Sequence, residues 1–286
     1  MTSERRVVLV TGASSGIGLA CADKLAAVGF RVYGTSRQPD FRPQRFEPLQ
    51  MDMTDDSVAR GIDHVLEREG FIDTLINNAG FALAGAVEDT SIEEAKRQLE
   101  TNVFGVLRAC QAVLPAMRQH GAGLIVNISS LGGLFGLPFQ GLYSASKFAL
   151  EGLSESLRLE VRPFGIRVVL VEPGDTRTSI THNRVLARAS GVDSAYDEFF
   201  HRVQTVFEKE EAGGIAPEAV AVLVARIVAC RHPRVRYTVG RPTQRLSALI
   251  KRLVPSTVFE RILLSYYGLA AVPTNVTSTQ APGHVG

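Results

Sequence analysis

Tryptophan is absent from this chain of 286 residues, and cysteine is rare. The three cysteines, Cys21, Cys110 and Cys230, lie far apart in apolar helical patterns without CxxC or histidine spacing. That arrangement argues against a disulfide framework, and no metal site is predicted. We expect the cysteines to be small buried hydrophobic residues in a reducing compartment.

The chain also has no large excess of positive or negative residues. The 31 Lys and Arg and the 29 Asp and Glu give a formal net charge of +2, which provides no basic field for nucleic acid. No apolar run reaches the ~18–20 residues that span a bilayer, and no hydrophobic signal region precedes the first strand-like run at Val7. These absences predict a cytoplasmic protein without nucleic-acid partners.

Short apolar runs alternate with helical stretches, and a hydrophobic content of 45% is enough to cover both faces of a sheet. This alternation is typical of an α/β doubly wound parallel sheet of the Rossmann type. We predict a single domain over residues 1–271, in which 240–271 form a C-terminal helical extension, and a disordered tail over 272–286. The predicted strands are 7–11, 31–35, 46–51, 73–77, 123–128, 166–171 and 235–239.

A glycine-rich turn follows the first predicted strand, in the segment RVVLVTGASSGIG at residues 6–18. The helical run after it ends at Gly29, which is suited to a C-terminal cap. Strand, glycine turn and helix in this order form a dinucleotide fingerprint, because glycine lets backbone N–H groups approach a pyrophosphate. The predicted cofactor contacts in this turn are Gly12, Ser14, Ser15, Gly16, Ile17 and Gly18.

Residues after the second strand indicate which cofactor is used. In dinucleotide folds an acidic residue here binds the ribose hydroxyls and repels the extra phosphate of NADP. This chain has Ser36 and then Arg37, whose guanidinium suits a phosphate, so we expect NADP(H) to be preferred over NAD(H). The alternative is that Arg37 is a solvated surface residue.

The segment from Asn127 to Lys147 carries a candidate proton-transfer site. Tyr143 and Lys147 lie four residues apart on one face of a predicted helix, so the ammonium should lower the phenol pKa from about 10. Ser130 ends a strand and can hydrogen-bond the same substrate oxygen, which suits interconversion of a carbonyl and an alcohol. Taken alone, this tyrosine and lysine would more often form a half-buried helix rim.

Six spaced motifs occur in order along the chain: TGASSGIG at 11–18, NNAG at 77–80, Asn102 in TNVFG, Ser130, YSASK at 143–147 and PGDTRT at 173–178. Over roughly residues 5–240 the chain thereby resembles the classical short-chain dehydrogenase/reductase family. The surroundings of Tyr143 most resemble the branch that acts on 17β-hydroxysteroids and retinoids.

The resemblance implies roles for further residues. It implies that Asn102 helps to hold a water beside Lys147, which makes Asn102 the fourth catalytic residue. It also places Asp52 at the adenine amino group and Met53 beside the ring, although Asp52 could equally belong to a helix N-terminus. Ser15 stands where some NADP-dependent members carry a basic residue, which leaves Arg37 as the main phosphate ligand. The other implied cofactor contacts are Asn78, Ala79 and Gly80 at the adenosine ribose, Tyr143 and Lys147 at the catalytic centre, and Pro173, Gly174, Thr176 and Thr178 at the nicotinamide.

We expect the substrate to be a hydrophobic ketone or aldehyde, or the matching alcohol, because apolar residues surround the catalytic serine and tyrosine in the sequence. Steroid-like, retinoid-like and other lipid-like compounds fit this expectation. A 3-oxoacyl thioester reductase and a non-catalytic NADPH sensor are the alternatives. A homodimer or homotetramer is also expected. The predicted substrate contacts are Ser130, Leu131, Phe135, Leu137, Gln140 and Tyr143.

Two segments beyond the catalytic motif could close over the substrate. Residues from about 179 to 211 resemble the family's mobile lid, although their apolar stripe from Phe199 to Phe207 is more typical of core packing than of a ligand pocket. Two short amphipathic helices around Pro255 could cap the pocket, pair subunits or lie on a membrane surface. We rank these three roles in that order.

Overall fold

A seven-stranded parallel sheet with helices on both faces forms the centre of the structure. The computed structural model describes residues 6–38, 41–43, 45–178 and 184–270. In chain order its strands are β1 (Val7–Val10), β2 (Arg31–Ser36), β3 (Glu47–Gln50), β4 (Thr74–Asn77), β5 (Leu83–Ala84), β6 (Gly123–Ile128), β7 (Ile166–Pro173), β8 (Val185–Leu186) and β9 (Arg236–Val239).

The helices alternate with these strands, as the sequence predicts. They are α1 (Gly16–Ala27), α2 (Ser57–Glu69), α3 (Ile92–Leu99), α4 (Gly105–His120), α5 (Gly141–Val161), α6 (Asp197–Ala212), α7 (Pro217–Ala229), α8 (Pro242–Leu253) and α9 (Ser256–Tyr266). A π-helical turn, Glu100–Phe104, joins α3 to α4, and short 3₁₀ turns cover Leu131–Gly133 and Arg162–Phe164. Gly29 has a φ of +99° just beyond α1, which confirms its predicted place at the helix end.

The strand order in the main sheet is β3-β2-β1-β4-β6-β7-β9, and every neighbouring pair is parallel. The chain therefore winds outward from β1 in one direction and then returns to β4 and winds in the other. This reversal between β1 and β4 is the topological switch point at which such sheets bind ligands. All seven predicted strands are confirmed. The separate pair of β5 and β8 was not predicted, because two residues are too few to show a pattern.

Successive residues of β1 point to opposite faces of the sheet, and both faces are covered. Leu9 packs with the helices α2, α4 and α5, whereas Val8 and Val10 pack with α1 and α7. A strand buried on both sides carries a continuous apolar run, which is why VVLV contains no polar residue. This two-sided core fixes the sheet that presents the site.

Two of the three cysteine predictions are confirmed. Cys21 and Cys110 are buried on the two faces of the sheet. The prediction for Cys230 is wrong, because this residue is exposed. It is the C-terminal cap of α7, where the chain leaves the core in an extended conformation.

The C-terminal helices lie near the carboxyl ends of the strands. Ala248 of α8 and Phe259 of α9 are buried in one cluster with Leu131 and Phe135, which follow β6. The extension is thus helical and packs near the site. The predicted tail at 272–286, and residue 271, lie outside the described residues. In the described part of the chain, no helix combines the length and apolarity needed to cross a membrane.

Candidate active site

The turn between β1 and α1 contains glycines at positions where a side chain would be unfavourable. Gly12 and Gly16 have φ values of +65° and +57°, in the left-handed region that favours glycine. A Cβ on Gly12 would lie 2.8 Å from Ala79 Cα, and one on Gly18 would lie 2.2 Å from the Gly12 carbonyl oxygen. The result is a concave stretch of bare backbone at the N-terminus of α1, which suits a pyrophosphate.

Buried hydroxyl and amide groups hold this turn in place. Thr11 Oγ1 accepts hydrogen bonds from the backbone N–H groups of Asn78 at 2.9 Å and Ala79 at 3.0 Å. Asn78 Nδ2 donates to the carbonyl oxygens of Thr11 and Gly12 at 3.0 and 3.1 Å, and Thr35 Oγ1 accepts from Gly12 N at 3.2 Å. Sequence reasoning missed Thr11 and Thr35, because their role is visible only when β1, β2 and β4 lie side by side.

Arg37 is exposed at the end of β2 and lines the same cleft as the glycine turn. Ser36 beside it is buried, and its Oγ accepts a hydrogen bond from Gln38 N at 3.0 Å. Asp52 also lines the cleft, with Oδ1 bound to Thr54 N at 3.0 Å and Thr54 Oγ1 at 2.8 Å. Because α2 begins only at Ser57 with Asp56 as its N-cap, the helix-cap alternative for Asp52 is wrong.

One continuous cleft of about 1330 Å³ contains nearly all the predicted cofactor positions. This volume exceeds the ~300–1,000 Å³ of typical small-ligand sites, so a dinucleotide and a substrate can share it. Gly18 does not line the cleft but lies beneath the turn. Those that do line it are Gly12, Ser14, Ser15, Gly16, Ile17, Arg37, Asp52, Met53, Asn78, Ala79, Gly80, Tyr143, Lys147, Pro173, Gly174, Thr176 and Thr178.

Tyr143 and Ser130 meet in the cleft, as the sequence predicts. Ser130 follows β6 and caps the 3₁₀ turn, its Oγ accepting from Gly132 N at 3.1 Å. Burial raises the pKa of Tyr143 above its usual value, while the hydrogen bond with Ser130 acts in the opposite direction. The expected lowering of this pKa by Lys147 is therefore wrong for this structure, because burial outweighs the opposing effects of the Ser130 hydrogen bond and the Arg184 charge.

Lys147 lies one helical turn after Tyr143 and is buried. Its Nζ donates to the Ile128 carbonyl oxygen at 2.9 Å and lies 5.9 Å from the centre of the Tyr143 ring. Burial lowers the pKa of Lys147 to about 8, and the charge of Glu151 opposes this shift. The ammonium is thus held beside the phenol but is bonded to the backbone of β6.

A buried acidic group lies behind the lysine, and sequence reasoning missed it. Arg236 bridges Glu151 at 2.7 Å, Glu155 at 2.8 Å and Glu172 at 3.2 Å, and both Glu151 and Glu172 are buried. Burial is the main cause that raises the pKa of Glu151 to about 7. Its position one turn beyond Lys147 is a usable signal, but the partner Arg236 comes from the distant strand β9.

Asn102 does not line the cleft. It lies in the π-helical turn, where its Nδ2 donates to Phe81 O and to Ser146 Oγ, both at 3.0 Å, and its Oδ1 accepts from Phe81 N at 3.1 Å. Its carboxamide thereby joins the segment after β4 to helix α5, which carries Tyr143 and Lys147. The water-holding role that the resemblance implies remains a prediction.

The segment after β7 crosses the cleft between the nucleotide turn and the C-terminal helices. Thr176 Oγ1 donates to the Gly174 carbonyl oxygen at 3.0 Å, and Thr178 Cβ lies 3.3 Å from where a Cβ on Gly16 would be. Gly174 itself packs against the Gln244 side chain of α8. This segment therefore links the predicted nicotinamide position to the extension.

The predicted substrate residues Leu131, Phe135, Leu137 and Gln140 line the cleft together with Ser130 and Tyr143. Phe135 meets Phe259 of α9 edge-on at 5.2 Å between ring centres. The neighbouring residues Pro138, Phe139 and Leu142 do not line it. Phe139 instead packs on Phe200 at 5.6 Å, with a strained φ of +56°.

Helix α6 occupies much of the expected lid segment, whose residues 179–183 lie outside the described part. Its residues Phe200, Val203 and Phe207 are buried, and Val203 and Phe207 pack in one hydrophobic cluster with Tyr267, which agrees with the preferred interpretation of the stripe. Phe207 also lines the cleft. Helices α8 and α9, with the residue that follows α9, contribute the rest of the apolar wall through Ile250, Phe259, Ile262, Leu263, Tyr266 and Tyr267.

This arrangement fits a nicotinamide dinucleotide and a carbonyl or alcohol substrate. The glycines of the turn leave space beside the backbone that a Cβ atom would occupy, and this space suits a pyrophosphate. Ser130 and Tyr143 place two hydroxyl groups at one point of the cleft, where they can hydrogen-bond a single oxygen. Such a site can bind a carbonyl oxygen and exchange a proton with it.

Comparisons with known proteins agree with this site. The family model for short chain dehydrogenase matches residues 6–189. A 3-ketodihydrosphingosine reductase of Bacteroides thetaiotaomicron is 43% identical over 265 residues, which are 92% of this chain and 98% of that protein. The human 17-beta-hydroxysteroid dehydrogenase type 1 is 36% identical over 257 residues, or 82% of this chain and 77% of that one.

Two further similarities extend over most of the chain. An NADPH-dependent 3-dehydrocapnine reductase of Ornithobacterium rhinotracheale is 32% identical over 272 residues, covering 90% of this chain and 95% of that protein. The crystal structure of a short-chain dehydrogenase from Streptomyces avermitilis aligns with a TM-score of 0.76 at 34% identity, covering 91% of this chain and 98% of that one. The chain therefore belongs to the short-chain dehydrogenase family, whose members are nicotinamide-dependent oxidoreductases acting on CH–OH groups.

Proposed function

We propose that the protein is an NADP(H)-dependent reductase of a ketone or aldehyde carried on a long hydrophobic molecule. The observation that carries this proposal is the apolar wall beside Ser130 and Tyr143, formed by residues after β6 and by helices α8 and α9. Such a wall excludes water and binds alkyl chains or rings through burial of apolar surface. Steroid-, retinoid- and lipid-like compounds all have this chemistry.

In the proposed mechanism Tyr143 donates the proton to the carbonyl oxygen during reduction and removes it during oxidation. Ser130 hydrogen-bonds the same oxygen and stabilises the charge that develops on it. A nicotinamide held in the cleft would supply the hydride. Lys147 keeps a positive charge beside the phenol below a pH of about 8, where its pKa lies. Asn102 acts at a distance by fixing helix α5 through Ser146.

The preference for NADP(H) rests on Arg37. This side chain is exposed in the cleft at the end of β2, and Ser36 replaces the acidic residue that would repel a phosphate. A guanidinium can form paired hydrogen bonds with a phosphate, which an NAD ribose does not offer. One relative is named as NADPH-dependent, which supports the same preference.

Long-chain keto lipids are the substrates that we favour within this class. Two relatives that match about nine-tenths of this chain are named as reductases of 3-ketodihydrosphingosine and of 3-dehydrocapnine. A 3-oxoacyl thioester reductase is the second candidate, because it also reduces a keto group on an alkyl chain. The non-catalytic sensor is disfavoured, since Ser130, Tyr143 and Lys147 meet in the cleft.

The outer face of the extension supports contact with a membrane surface. Leu246, Leu249 and Leu253 lie on one exposed face of α8 and are 52–73% exposed. The segment 241–266 carries five basic residues and one acidic residue, in a chain whose net charge is only +2. Arg241 of this segment pairs with Glu210, but Arg245, Arg252 and Arg261 are exposed. Two copies of this exposed basic face would repel each other, whereas anionic lipid headgroups would attract it. We therefore place the expected dimer or tetramer contacts on another face.

A substrate panel with NADPH and NADH tests the proposed function directly. Absorbance of the reduced nicotinamide would be followed with a long-chain 3-ketone, a steroid ketone, retinal and a 3-oxoacyl thioester. We expect kcat/KM to be highest for the long-chain ketone with NADPH. A higher value for the thioester would support the second candidate, and no oxidation of cofactor with any carbonyl would support the sensor.

A further inference from the structure

A buried carboxylate on helix α5 has no role in the proposed mechanism. Glu151 is 6% exposed and lies one helical turn after Lys147, which itself lies one turn after Tyr143. Residues four apart share one face of a helix, so these three side chains follow one another along α5. Burial of a carboxyl group is unfavourable unless its oxygens find partners, so Glu151 must be held by specific contacts.

One carboxylate oxygen of Glu151 has such a partner. Oε2 accepts from Arg236 at 2.7 Å, and this guanidinium also pairs with Glu155 at 2.8 Å and with Glu172 at 3.2 Å. Glu172 accepts a further hydrogen bond from Thr238 at 2.8 Å. One positive charge therefore serves three carboxylates, and burial raises the pKa of Glu151 to about 7. Near neutral pH its carboxyl group can thus donate as well as accept a hydrogen bond.

The turn after β6 packs on helix α5 beside Glu151. A Cβ on Gly133 would lie 2.9 Å from Ser129 Oγ, 3.1 Å from Glu151 Cγ and 3.2 Å from the Lys147 carbonyl oxygen. The end of β6, the 3₁₀ turn and α5 thus meet at one point that leaves no room for a side chain. Ser129 directly precedes Ser130, so a contact of Ser129 fixes the backbone that carries the Ser130 hydroxyl.

Two polar atoms at this point lack partners. Ser129 Oγ and Glu151 Oε1 are both buried, and within the described residues neither has a hydrogen bond of suitable geometry. Burial raises the pKa of Glu151, and the Ser129 hydroxyl is close enough to oppose this rise. The backbone of Ser129 is fixed, because its N–H donates to the Val171 carbonyl oxygen at 2.7 Å. Unpaired polar groups in a protein interior are unfavourable, so a small rotation that pairs these two atoms is favoured.

We propose that Glu151 is a positioning residue for Ser130. Its carboxyl group bonds the Ser129 hydroxyl and so fixes the end of β6 on the helix that carries Tyr143. Arg236 holds the other oxygen of Glu151, so the link runs from strand β9 through α5 to β6. This inference rests on the proposed roles of Ser130 and Tyr143 and applies to any carbonyl substrate. The two hydroxyls must meet on one oxygen, and a displacement of about 1 Å between such groups can reduce the rate about 10²-fold.

Two variants of Glu151 separate hydrogen bonding from packing. Glu151→Gln keeps a group that bonds the Ser129 hydroxyl, whereas Glu151→Leu has a similar size without one. The substrate is the ketone of the panel that wild-type protein reduces fastest with NADPH. We expect kcat to fall about 10- to 100-fold in Glu151→Leu and at most about threefold in Glu151→Gln, while KM for NADPH changes less than about threefold in both.

The matched control is Glu155→Leu, which removes an exposed carboxylate from the same Arg236 and should keep the wild-type kcat. Equal kcat in Glu151→Leu and Glu151→Gln overturns the proposal, because the hydrogen bond would then make no difference.

Ser129→Ala tests the other side of the same contact. It removes a single buried oxygen, should leave the fold intact, and should lower kcat about as much as Glu151→Leu does. The double variant should be no slower than the slower single variant, since the contact is lost only once. Wild-type kcat in Ser129→Ala overturns the proposal even if Glu151→Leu does not fold. Losses that multiply in the double variant also overturn it.

The pH dependence of alcohol oxidation with NADP distinguishes positioning from a general loss of structure. Burial raises the pKa of Tyr143, and the Ser130 hydrogen bond opposes this rise. When Ser130 is displaced, the pKa of Tyr143 should therefore rise further. Because oxidation needs the ionised phenol, the increase of kcat with pH should then move to higher pH.

Two pairs of proteins show this shift most clearly. The profile should lie at higher pH in Ser129→Ala than in wild type, and at higher pH in Glu151→Leu than in Glu151→Gln. Both Glu151 variants remove the charge that acts on Lys147, so comparing them isolates the hydrogen bond. The other charges that act on the phenol are unchanged in all these variants, namely those of Glu211, Arg184 and Asp175. Identical profiles within both pairs would contradict the positioning role.

Failure of this inference differs from failure of the proposed function. If Ser130→Ala loses activity while Ser129→Ala does not, the role of Ser130 stands and only the positioning by Glu151 is wrong. If Ser130→Ala keeps the wild-type kcat, the proposed mechanism itself is wrong.

Discussion

The two ends of the cleft differ in the atoms that form them. At the nucleotide end, backbone atoms shape the site, and Gly12, Gly16 and Gly18 are required because a Cβ would strike neighbouring atoms or need an unfavourable φ. At the substrate end, side chains shape the site through apolar and aromatic contacts such as Phe135–Phe259. Backbone sites tolerate few sequences, whereas side-chain sites can be rebuilt for a new substrate.

The same difference decides how each end responds to mutation. A change at the nucleotide end should remove cofactor binding whatever the substrate. A change at the substrate end should alter the choice among substrates and leave cofactor binding in place. Substitutions at the two ends test this separation.

Replacing Tyr143 by phenylalanine should have the largest effect, because Tyr143 lies where the two ends meet. The phenyl ring keeps the packing, but the proton donor is lost, so kcat should fall by ~10²–10⁴. NADPH binding, measured by fluorescence titration, should change little. Tyr196→Phe, in which a tyrosine bonded to Glu88 loses its hydroxyl, is the control. A Tyr143→Phe enzyme that keeps more than a tenth of wild-type kcat would contradict the assigned role.

Gly18→Ala should disrupt the nucleotide end without touching the cleft surface. The new Cβ would lie 2.2 Å from the Gly12 carbonyl oxygen and 2.4 Å from Asn78 Nδ2, so the turn must shift. We expect NADPH affinity to fall by at least about 30-fold, since backbone donors must meet the pyrophosphate in a fixed geometry. In Gly152→Ala, a Cβ would have no heavy atom within 4 Å, so that variant should bind NADPH normally. Equal affinity in both variants would show that the turn is not the pyrophosphate site.

The sequence predicted the strand, glycine turn and helix of the nucleotide end for a physical reason. The residues that determine it are close in sequence, since strand, turn and helix follow one another within about 20 residues. The glycine spacing indicates the backbone geometry of the turn. Tyr143 and Lys147 were also found, because their helical spacing places them together. The seven strands followed from apolar runs that are buried on both faces.

The remaining features depend on contacts between distant segments. The pKa of Tyr143 was predicted in the wrong direction, because sequence spacing shows a neighbouring lysine but not the burial of the phenol, which is the main cause of the raised pKa. Asp175 and Glu211 meet only after α6 folds against the segment following β7, and Arg236 reaches Glu151 from a strand 85 residues away. No periodic pattern in the sequence indicates such pairs.

Glu151→Gln should change the pH dependence of stability. The pKa of Glu151 is about 7 in the folded protein, against 4.5 for an unperturbed carboxyl. Between these pH values the folded protein keeps a proton that the unfolded chain releases, so this group lowers stability as pH rises. From pH 5 to pH 8, the difference in unfolding free energy between the variant and wild type should therefore shift by about 2 kcal/mol in favour of the variant, since one pKa unit is ~1.4 kcal/mol.

Denaturant unfolding at several pH values measures this gain. Glu155→Gln, whose exposed carboxylate shares the partner Arg236, should follow the wild-type pH dependence within about 0.5 kcal/mol. If the difference between Glu151→Gln and wild type is the same at pH 5 and pH 8, Glu151 does not hold a proton in the folded protein.

Arg37→Asp should reduce the preference of the nucleotide end for NADPH over NADH. The variant places a carboxylate where the guanidinium is proposed to meet the 2′-phosphate, so the ratio of kcat/KM for NADPH over NADH should fall at least about tenfold. Arg60→Asp, an exposed arginine on α2, makes the same charge change away from the cleft. An unchanged ratio in Arg37→Asp would mean that the phosphate is bound elsewhere.

The smallest predicted effect concerns the outer face of the substrate end. Leu253 is 73% exposed on α8, next to the basic residues Lys251 and Arg252. If this face lies on a membrane, Leu253→Glu removes apolar contact and adds a charge that anionic lipids repel. We expect about fivefold weaker co-sedimentation with vesicles containing phosphatidylglycerol, and unchanged kcat/KM for a short, water-soluble ketone.

The control for this surface is Val192→Glu, which adds the same charge to a residue that is 90% exposed in the loop before α6. It should bind vesicles like the wild type, because it lies outside the basic segment 241–266. Equal vesicle binding by both variants would exclude the membrane role. If Leu253→Glu instead changes the sedimentation coefficient without lipid, the face pairs subunits, and the substrate end would then depend on a second copy of the chain.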